Sequence, residues 1–191
     1  MRSTVFSTPI ITPLLRLIAI VMLKVLGWKT VGRPLDNARF VLIAAPHTSN
    51  WDFPLMLMVV LKLRMKVFWM GKISLFPFPF AGFMEWLGGI PVDRSRNQNL
   101  VDHTARQYRE NPELVVLIPP EGTRSKVKDW KTGFYHIAVK AEVPVLMGYL
   151  DAAKKEAGLA DFFHPTGDIE ADISAIRAFY ADKAGINPEN A

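Results

Sequence analysis

Arg39-Phe-Val-Leu-Ile-Ala-Ala45, then Pro46-His-Thr-Ser-Asn-Trp-Asp52, then Phe53-Pro-Leu-Met-Leu-Met-Val-Val-Leu-Lys-Leu63 is the stretch whose reading decides the fold. A short apolar run halted by proline reads as a strand buried on both faces. The longer run after the polar loop reads as an apolar helix, with Pro54 tolerated because it falls in the first turn. The same alternation continues outward. Lys66–Met70 reads as a strand, and Leu75-Phe-Pro-Phe-Pro-Phe80 leads into a short helix near Ala81–Leu87. Strand-like Gly89–Val92, a polar helix over Asn97–Arg109, a strand at Leu114–Ile118, a helix at Phe134–Ala141 and a strand at Val143–Leu150 follow. The chain closes on a helix over Ile169–Ala181, whose Ile169, Ile173, Ile176 and Tyr180 share one face. Short strands alternating with helices predict an α/β fold: a layered, largely parallel or mixed central sheet flanked by helices.

At 191 residues, half of them apolar and 21% charged, the chain is sized for one domain with a real core and is not intrinsically disordered. It has no cysteine, which excludes a disulfide scaffold, a thiol nucleophile, a zinc–thiolate site and an iron–sulfur cluster. The cytosolic side of a membrane is the default compartment. The net charge of +5 is unevenly spread: residues 1–72 carry ten basic residues against two acids, and residues 73–191 carry thirteen against sixteen. A basic front half suits nucleic acid or an anionic membrane surface. Against nucleic acid, Trp28, Trp51, Trp69, Trp86 and Trp130 stand in apolar surroundings and are not interleaved with a basic strand face.

Ahead of the first strand, Leu14–Leu26 is apolar but for Arg16 and Lys24, with Thr12 as expected N-cap, Pro13 at the first helical position and Gly27 as the stop. The two cations lie about 80° apart on a helix of about 21 Å, short of the ~30 Å hydrocarbon core. Two readings stand: a helix in the membrane interface with snorkelling cations, or a buried helix of the domain. A signal peptide and a full span over residues 5–26 are disfavoured, the latter by two prolines and two charges.

In open α/β sheets, sites gather at the carboxyl ends of the strands. The four strand ends deliver His47 and Asp52, then Lys72, then Asp93-Arg94-Ser-Arg96, then Pro120-Glu121-Gly122-Thr123-Arg124. Each residue also has a structural reading. His47 can simply end a strand, Asp52 can sit at or beside a helix cap, Arg94 can pair with Asp93 or Glu85, and Arg124 with Glu121. His47 and Asp52 have no third partner at metal-ligand spacing, and no Gly-x-Ser-x-Gly elbow occurs.

Taken together, these segments resemble the glycerolipid acyltransferase family, which contains the 1-acylglycerol-3-phosphate acyltransferases. His47-Thr-Ser-Asn-Trp-Asp52 matches its HxxxxD motif, Gly89-Ile-Pro-Val-Asp-Arg94 its second, Pro120-Glu-Gly-Thr-Arg-Ser125 its third and Val143-Pro-Val-Leu146 its fourth. They occur in the family's order across residues 39–150. Lys131-Thr-Gly133 is similar to its lysine–glycine element, while Pro119 replaces an aromatic often found before the third block. The resemblance implies an acyltransferase domain over 34–191, preceded by a membrane-interface helical segment over 1–33, on the cytoplasmic face of a membrane as a peripheral or monotopic protein.

The chemistry expected is transfer of a fatty acyl group from a thioester donor, acyl-CoA or acyl-carrier-protein, to a lysolipid hydroxyl, with no other cofactor and no metal. An imidazole of ordinary pKa near ~6.5 is a suitable general base. His47 is assigned that role and Asp52 the role of orienting it. Arg94 and Arg124 suit a phosphate monoester, with Lys72 and Lys131 as further cations. The resemblance implies that Glu121 contacts glycerol hydroxyls or holds one of the arginines. Backbone N–H groups near Gly122 and Thr123 are the oxyanion candidates, and the aromatic stretch Phe76–Phe83 is the expected wall of an acyl groove. The rival is a non-catalytic membrane-surface lipid-binding protein, for which the basic half and oily helix suffice.

Overall fold

The computed structural model describes residues 3–32, 39–93 and 100–190. Its strands are β1 (Lys29–Val31), β2 (Phe40–Ala45), β3 (Phe68–Lys72), β4 (Gly89–Val92), β5 (Val115–Ile118), β6 (Val145–Asp151) and β7 (Glu156–Phe163). Its helices are α1 (Ile11–Val25), α2 (Asp52–Lys62), α3 (Ala81–Trp86), α4 (Leu100–Glu110), α5 (Gly133–Ala141) and α6 (Ile169–Tyr180). The strands form one sheet in the order β1-β7-β6-β2-β5-β3-β4. From β6 to β4 every pairing is parallel, β7 runs antiparallel to β6, and β1 pairs in parallel with β7. The fold is the mixed, largely parallel α/β sheet expected.

The central strands are covered on both faces, which explains their continuous apolar sequences. Alternate residues of β2 divide between two cores: Val41, Ile43 and Ala45 pack with Tyr108, Phe134 and Ile176 from α4, α5 and α6. Phe40 and Leu42 pack on the other face with Leu55 and Val59 of α2 and Leu23 of α1. Tyr108 locks the amino ends of the two middle strands, its buried hydroxyl donating to the Phe40 carbonyl at 2.7 Å and accepting from the Val116 amide at 3.1 Å.

β2 and β5 are neighbours in register from Phe40↔Val115 to Ile43↔Ile118. The chain leaves β2 into α2 on one face and leaves β5 toward α5 on the other. A crevice opens where connections diverge in this way, at the carboxyl ends of the strands.

Three elements differ from expectation, the first being the short strand β1, which the sequence reading lacks and which pairs in parallel with β7 from Lys29↔Glu156 to Val31↔Gly158. The sequence reading contains no strand at β7, whose Glu156-Ala-Gly-Leu-Ala-Asp start is rich in weak strand formers. The strand forms because β6 offers it a long antiparallel partner. Thr12 does not cap α1: its hydroxyl donates to the Val5 and Thr8 carbonyls, and the helix begins at Ile11. The preceding turn, pinned by Thr8 Oγ1 on the Thr4 carbonyl at 2.7 Å, already sets the helix start. The stop is as read: Gly27 takes φ +76°, and the Trp28 amide donates to the Leu23 carbonyl at 2.8 Å, a left-handed closure suited to glycine.

α1 packs on α2 through a narrow stripe, Ala19 and Leu23, with Arg16 Nε donating to the Lys62 carbonyl. Leu14, Leu17, Ile18, Val21 and Val25 remain exposed, so this is not a core helix buried all round. No helix among the described residues is long and apolar enough to cross a membrane.

Candidate active site

β2 ends at Ala45, and Pro46 turns the chain into the loop His47–Trp51. That loop folds back on the first residue of α2. One oxygen, Asp52 Oδ2, accepts the Thr48 amide at 2.7 Å, the Ser49 amide at 2.8 Å and lies 3.0 Å from His47 Nδ1. Asp52 therefore sits beside the helix cap, which is Trp51, and its carboxylate organises the loop. It is 5% exposed, whereas a quarter of the His47 side chain is accessible. With Nδ1 donating to a carboxylate, the lone pair of the imidazole is left on Nε2.

The loop after β5 closes against this one. The Glu121 carboxylate accepts the His47 backbone N–H at 3.0 and 3.2 Å, holding the residue that carries the imidazole. Burial pushes the Glu121 carboxyl above its ordinary value, opposed by the His47 N–H bond and the His47 charge. Glu121 makes no hydrogen bond or ion pair with Arg124. Arg124 is tied instead to the Asn50 side chain, which reaches it from the His47 loop. Gly122 adopts φ +67° with the Lys131 chain laid across it, so that a Cβ there would meet Lys131 Cδ at 2.9 Å. The Gly122 amide is committed to the Pro119 carbonyl at 3.1 Å, which removes it as an oxyanion donor.

A cavity of about 1070 Å³ runs from these loops into the molecule. His47, Asp52, Lys72, Gly122, Thr123, Arg124 and Lys131 all line it, so five residues from other strand ends and loops converge on the His47–Asp52 pair. Arg94 lies outside the described residues. Deeper walls come from Leu42, Phe53, Met56, Val59 and Trp69. The site thus has a cationic end and an apolar limb joined at an imidazole. Among the described residues, no group of three or more His, Cys, Asp or Glu side chains is arranged to hold a metal.

The expected groove wall is not where the aromatic stretch lies. Phe76, partly buried, stacks on Trp69 at 5.6 Å against the core, and Phe78, Phe80 and Phe83 face outward. The apolar limb is lined instead from α2 and β3, whose Phe53 and Trp69 rings meet edge to face at 4.8 Å.

Sequence reasoning missed the segment Gly185–Asn190. The Asn187 amide donates to Thr48 Oγ1 at 3.1 Å, and the Asn187 and Asn190 side chains donate to the Thr48 carbonyl at 3.2 and 3.4 Å. A Cβ on Gly185 would meet Thr48 Oγ1 at 2.6 Å. Thr48 is buried, and this segment clamps the loop between His47 and Asp52. Only the glycine hinted at a close approach, without saying to what.

Comparison with known proteins accords with this site. The acyltransferase family model matches residues 27–147. A 1-acyl-sn-glycerol-3-phosphate acyltransferase of Haemophilus influenzae is 32% identical over 107 residues, covering 52% of this chain and 43% of that protein. The Escherichia coli protein of the same name is 29% identical over 124 residues, covering 61% and 48%. The matches thus span about half the length of these curated relatives. The crystal structure of the 1-acyl-sn-glycerophosphate (LPA) acyltransferase from Thermotoga maritima shares the fold, with a TM-score of 0.61 at 20% identity over 92% of this chain and 82% of that one.

Proposed function

The chain belongs to the acyltransferase family, and on that premise we propose that it moves a fatty acyl group from a thioester donor to a hydroxyl of a lysophospholipid-type acceptor. The observation that carries the reading is the 3.0 Å contact of His47 with Asp52 at the junction of a cationic loop cluster and an apolar limb. His47 Nε2 takes the acceptor hydroxyl's proton as the oxygen attacks the thioester carbonyl. The tetrahedral adduct collapses, the carbon–sulfur bond breaks, and the leaving thiolate takes the proton back from the imidazolium. Asp52 holds Nδ1 protonated and stabilises the cation as it forms. With no cysteine and no serine elbow, the acceptor hydroxyl is itself the nucleophile, and no cofactor beyond the donor's carrier is invoked.

Arg124, Lys72 and Lys131, with Arg94, take the acceptor's phosphate, Arg124 being pre-aimed by Asn50. Glu121 acts through the backbone of His47, and the Thr123 amide replaces Gly122 as the oxyanion candidate. The exposed face of α1, within the segment 1–33, rests in the membrane interface with Arg16 and Lys24 as headgroup anchors. We read the protein as peripheral or monotopic on the cytoplasmic face of a membrane, with no nucleic-acid partner.

Purified protein incubated with labelled acyl-CoA or acyl-carrier-protein and a panel of lysolipids, products read by mass spectrometry, tests the reading. Diacylated product from either donor supports it and names the donor. No product with any pair, alongside intact vesicle binding, marks a lipid-binding protein instead.

A further inference from the structure

Between β3 and β4 the chain leaves the sheet for a detour, and from Ile73 to Met84 it carries no charged residue. Its rings divide. Phe76 turns inward onto Trp69, while Phe78, Phe80 and Phe83 are 96%, 62% and 55% exposed. Three outward phenylalanines within six residues make an apolar knuckle of a kind that water-facing surfaces rarely carry without a partner.

The knuckle is continuous with the oily face of α1. Phe83 stacks on Trp86 at 5.9 Å. The Trp86 indole N–H donates to Thr8 Oγ1 at 3.0 Å, and its carbonyl accepts the Val5 amide at 2.8 Å. The exposed Ile10, Ile11 and Leu14 begin directly after that turn. The foot of the knuckle is also a mouth of the cavity, because Lys72, Ser74 and Leu75 line the cavity and are exposed to solvent. Lys72 sets a cation at the rim of this apolar surface, the pairing that suits anionic headgroups above acyl chains.

We propose that Phe78, Phe80 and Phe83 form a second membrane contact, distinct from α1, which seats the cavity mouth beside Leu75 on a phospholipid bilayer. The inference rests on the membrane reading above and deepens it. A single interfacial helix can roll about its axis, so α1 alone does not fix which side of the domain faces lipid. A second contact beyond its amino end stops that roll with the mouth facing the leaflet, and a lipid acceptor then passes from bilayer to His47 without crossing water. A second copy of the chain seated on the knuckle would cover the mouth.

The test is flotation of the full chain on phosphatidylglycerol/phosphatidylethanolamine vesicles, comparing wild type with the triple variant F78S/F80S/F83S, with solution mass read in parallel. The rings are outside the core and cavity, so the variant should melt as wild type does. Burial of three rings predicts vesicle affinity at least about tenfold lower, a deficit that persists at high salt. Wild type that floats beside a variant that floats equally well overturns the knuckle and leaves α1 as the anchor. Wild type that fails to float overturns the knuckle and the membrane reading together. A variant that turns a dimer into a monomer with unchanged flotation assigns the surface to a second copy and overturns the proposal.

Discussion

Replacing Asp52 by Asn separates the two things this carboxylate does for His47, tautomer and charge. In the structure three donors converge on Oδ2: the amides of Thr48 and Ser49 and His47 Nδ1. An Asn side chain that placed its NH₂ there would set two donors against two backbone donors, so the amides dictate that its oxygen takes the position. That oxygen still accepts from Nδ1–H, and the basic lone pair stays on Nε2. What is lost is the negative charge beside the developing imidazolium. Hydrogen bonds to charged groups contribute about 1.5–3 kcal/mol against about 0.5–1.5 for neutral ones, so the transition state loses roughly 1–2 kcal/mol, or about five- to thirtyfold in kcat. The two amide bonds weaken as well, and a stability loss of about 1–3 kcal/mol should lower Tm by roughly 2–12 °C. Asp52→Ala, which frees both amides and the ring, should lose far more rate. Steady-state kinetics on both variants with matched thermal melts is the assay. Asp52→Asn as inactive as Asp52→Ala would refute the reasoning, because the amides would not then be fixing the amide's orientation. Asp52→Asn at wild-type rate would refute the pairing itself.

The clamp on Thr48 predicts that Asn187→Ala lowers kcat several-fold and shifts the pH–rate profile, with donor KM unchanged; a lower Tm with an unaltered profile would make the segment purely structural. Arg124→Ala should raise acceptor KM more than donor KM, with Lys rescuing only in part, and Asn50→Ala should reproduce a milder form of the same bias. An effect on the donor alone would place the nucleotide end of coenzyme A there. Glu121 is held above its ordinary 4.5 by burial, so the fold favours its protonated form. Its contribution to stability is fully present below that value and is lost as pH rises through the elevated folded value. Glu121→Gln, which keeps an acceptor for the His47 amide, should therefore match or exceed wild-type Tm near pH 8, the gap closing on acidification; a gap that widens toward pH 4.5 contradicts the sign.

The pieces legible in the sequence were those governed by local physics. Phe40–Ala45 had to be a strand because an apolar β-prone run meets Pro46, and the HxxxxD spacing brings the carboxylate back to the histidine because the loop between them folds onto the first residue of α2, Asp52. Gly27 ended its helix as only a residue comfortable at positive φ would. What stayed hidden depends on partners distant in sequence. Nothing local tells Glu121 to grip the backbone of His47, 74 residues away, or Asn187 to grip Thr48, 139 residues away. The Phe76–Phe83 stretch misled because apolar composition does not say which way a ring points: one packs onto the core and three face out. The weakly β-prone β7 was drawn into the sheet by its pairing with β6, against its own propensity.

The central claim is that His47 is the general base of an acyl transfer, and it is tested most directly by single-turnover transfer from labelled acyl thioester to lysophosphatidic acid in wild type and His47→Ala. The account predicts diacylated product from wild type, a rate lower by about 10²–10⁴ in the variant, and an unchanged thermal midpoint, since the ring is partly exposed and outside both cores. A His47→Ala protein that transfers acyl groups at the wild-type rate would contradict it.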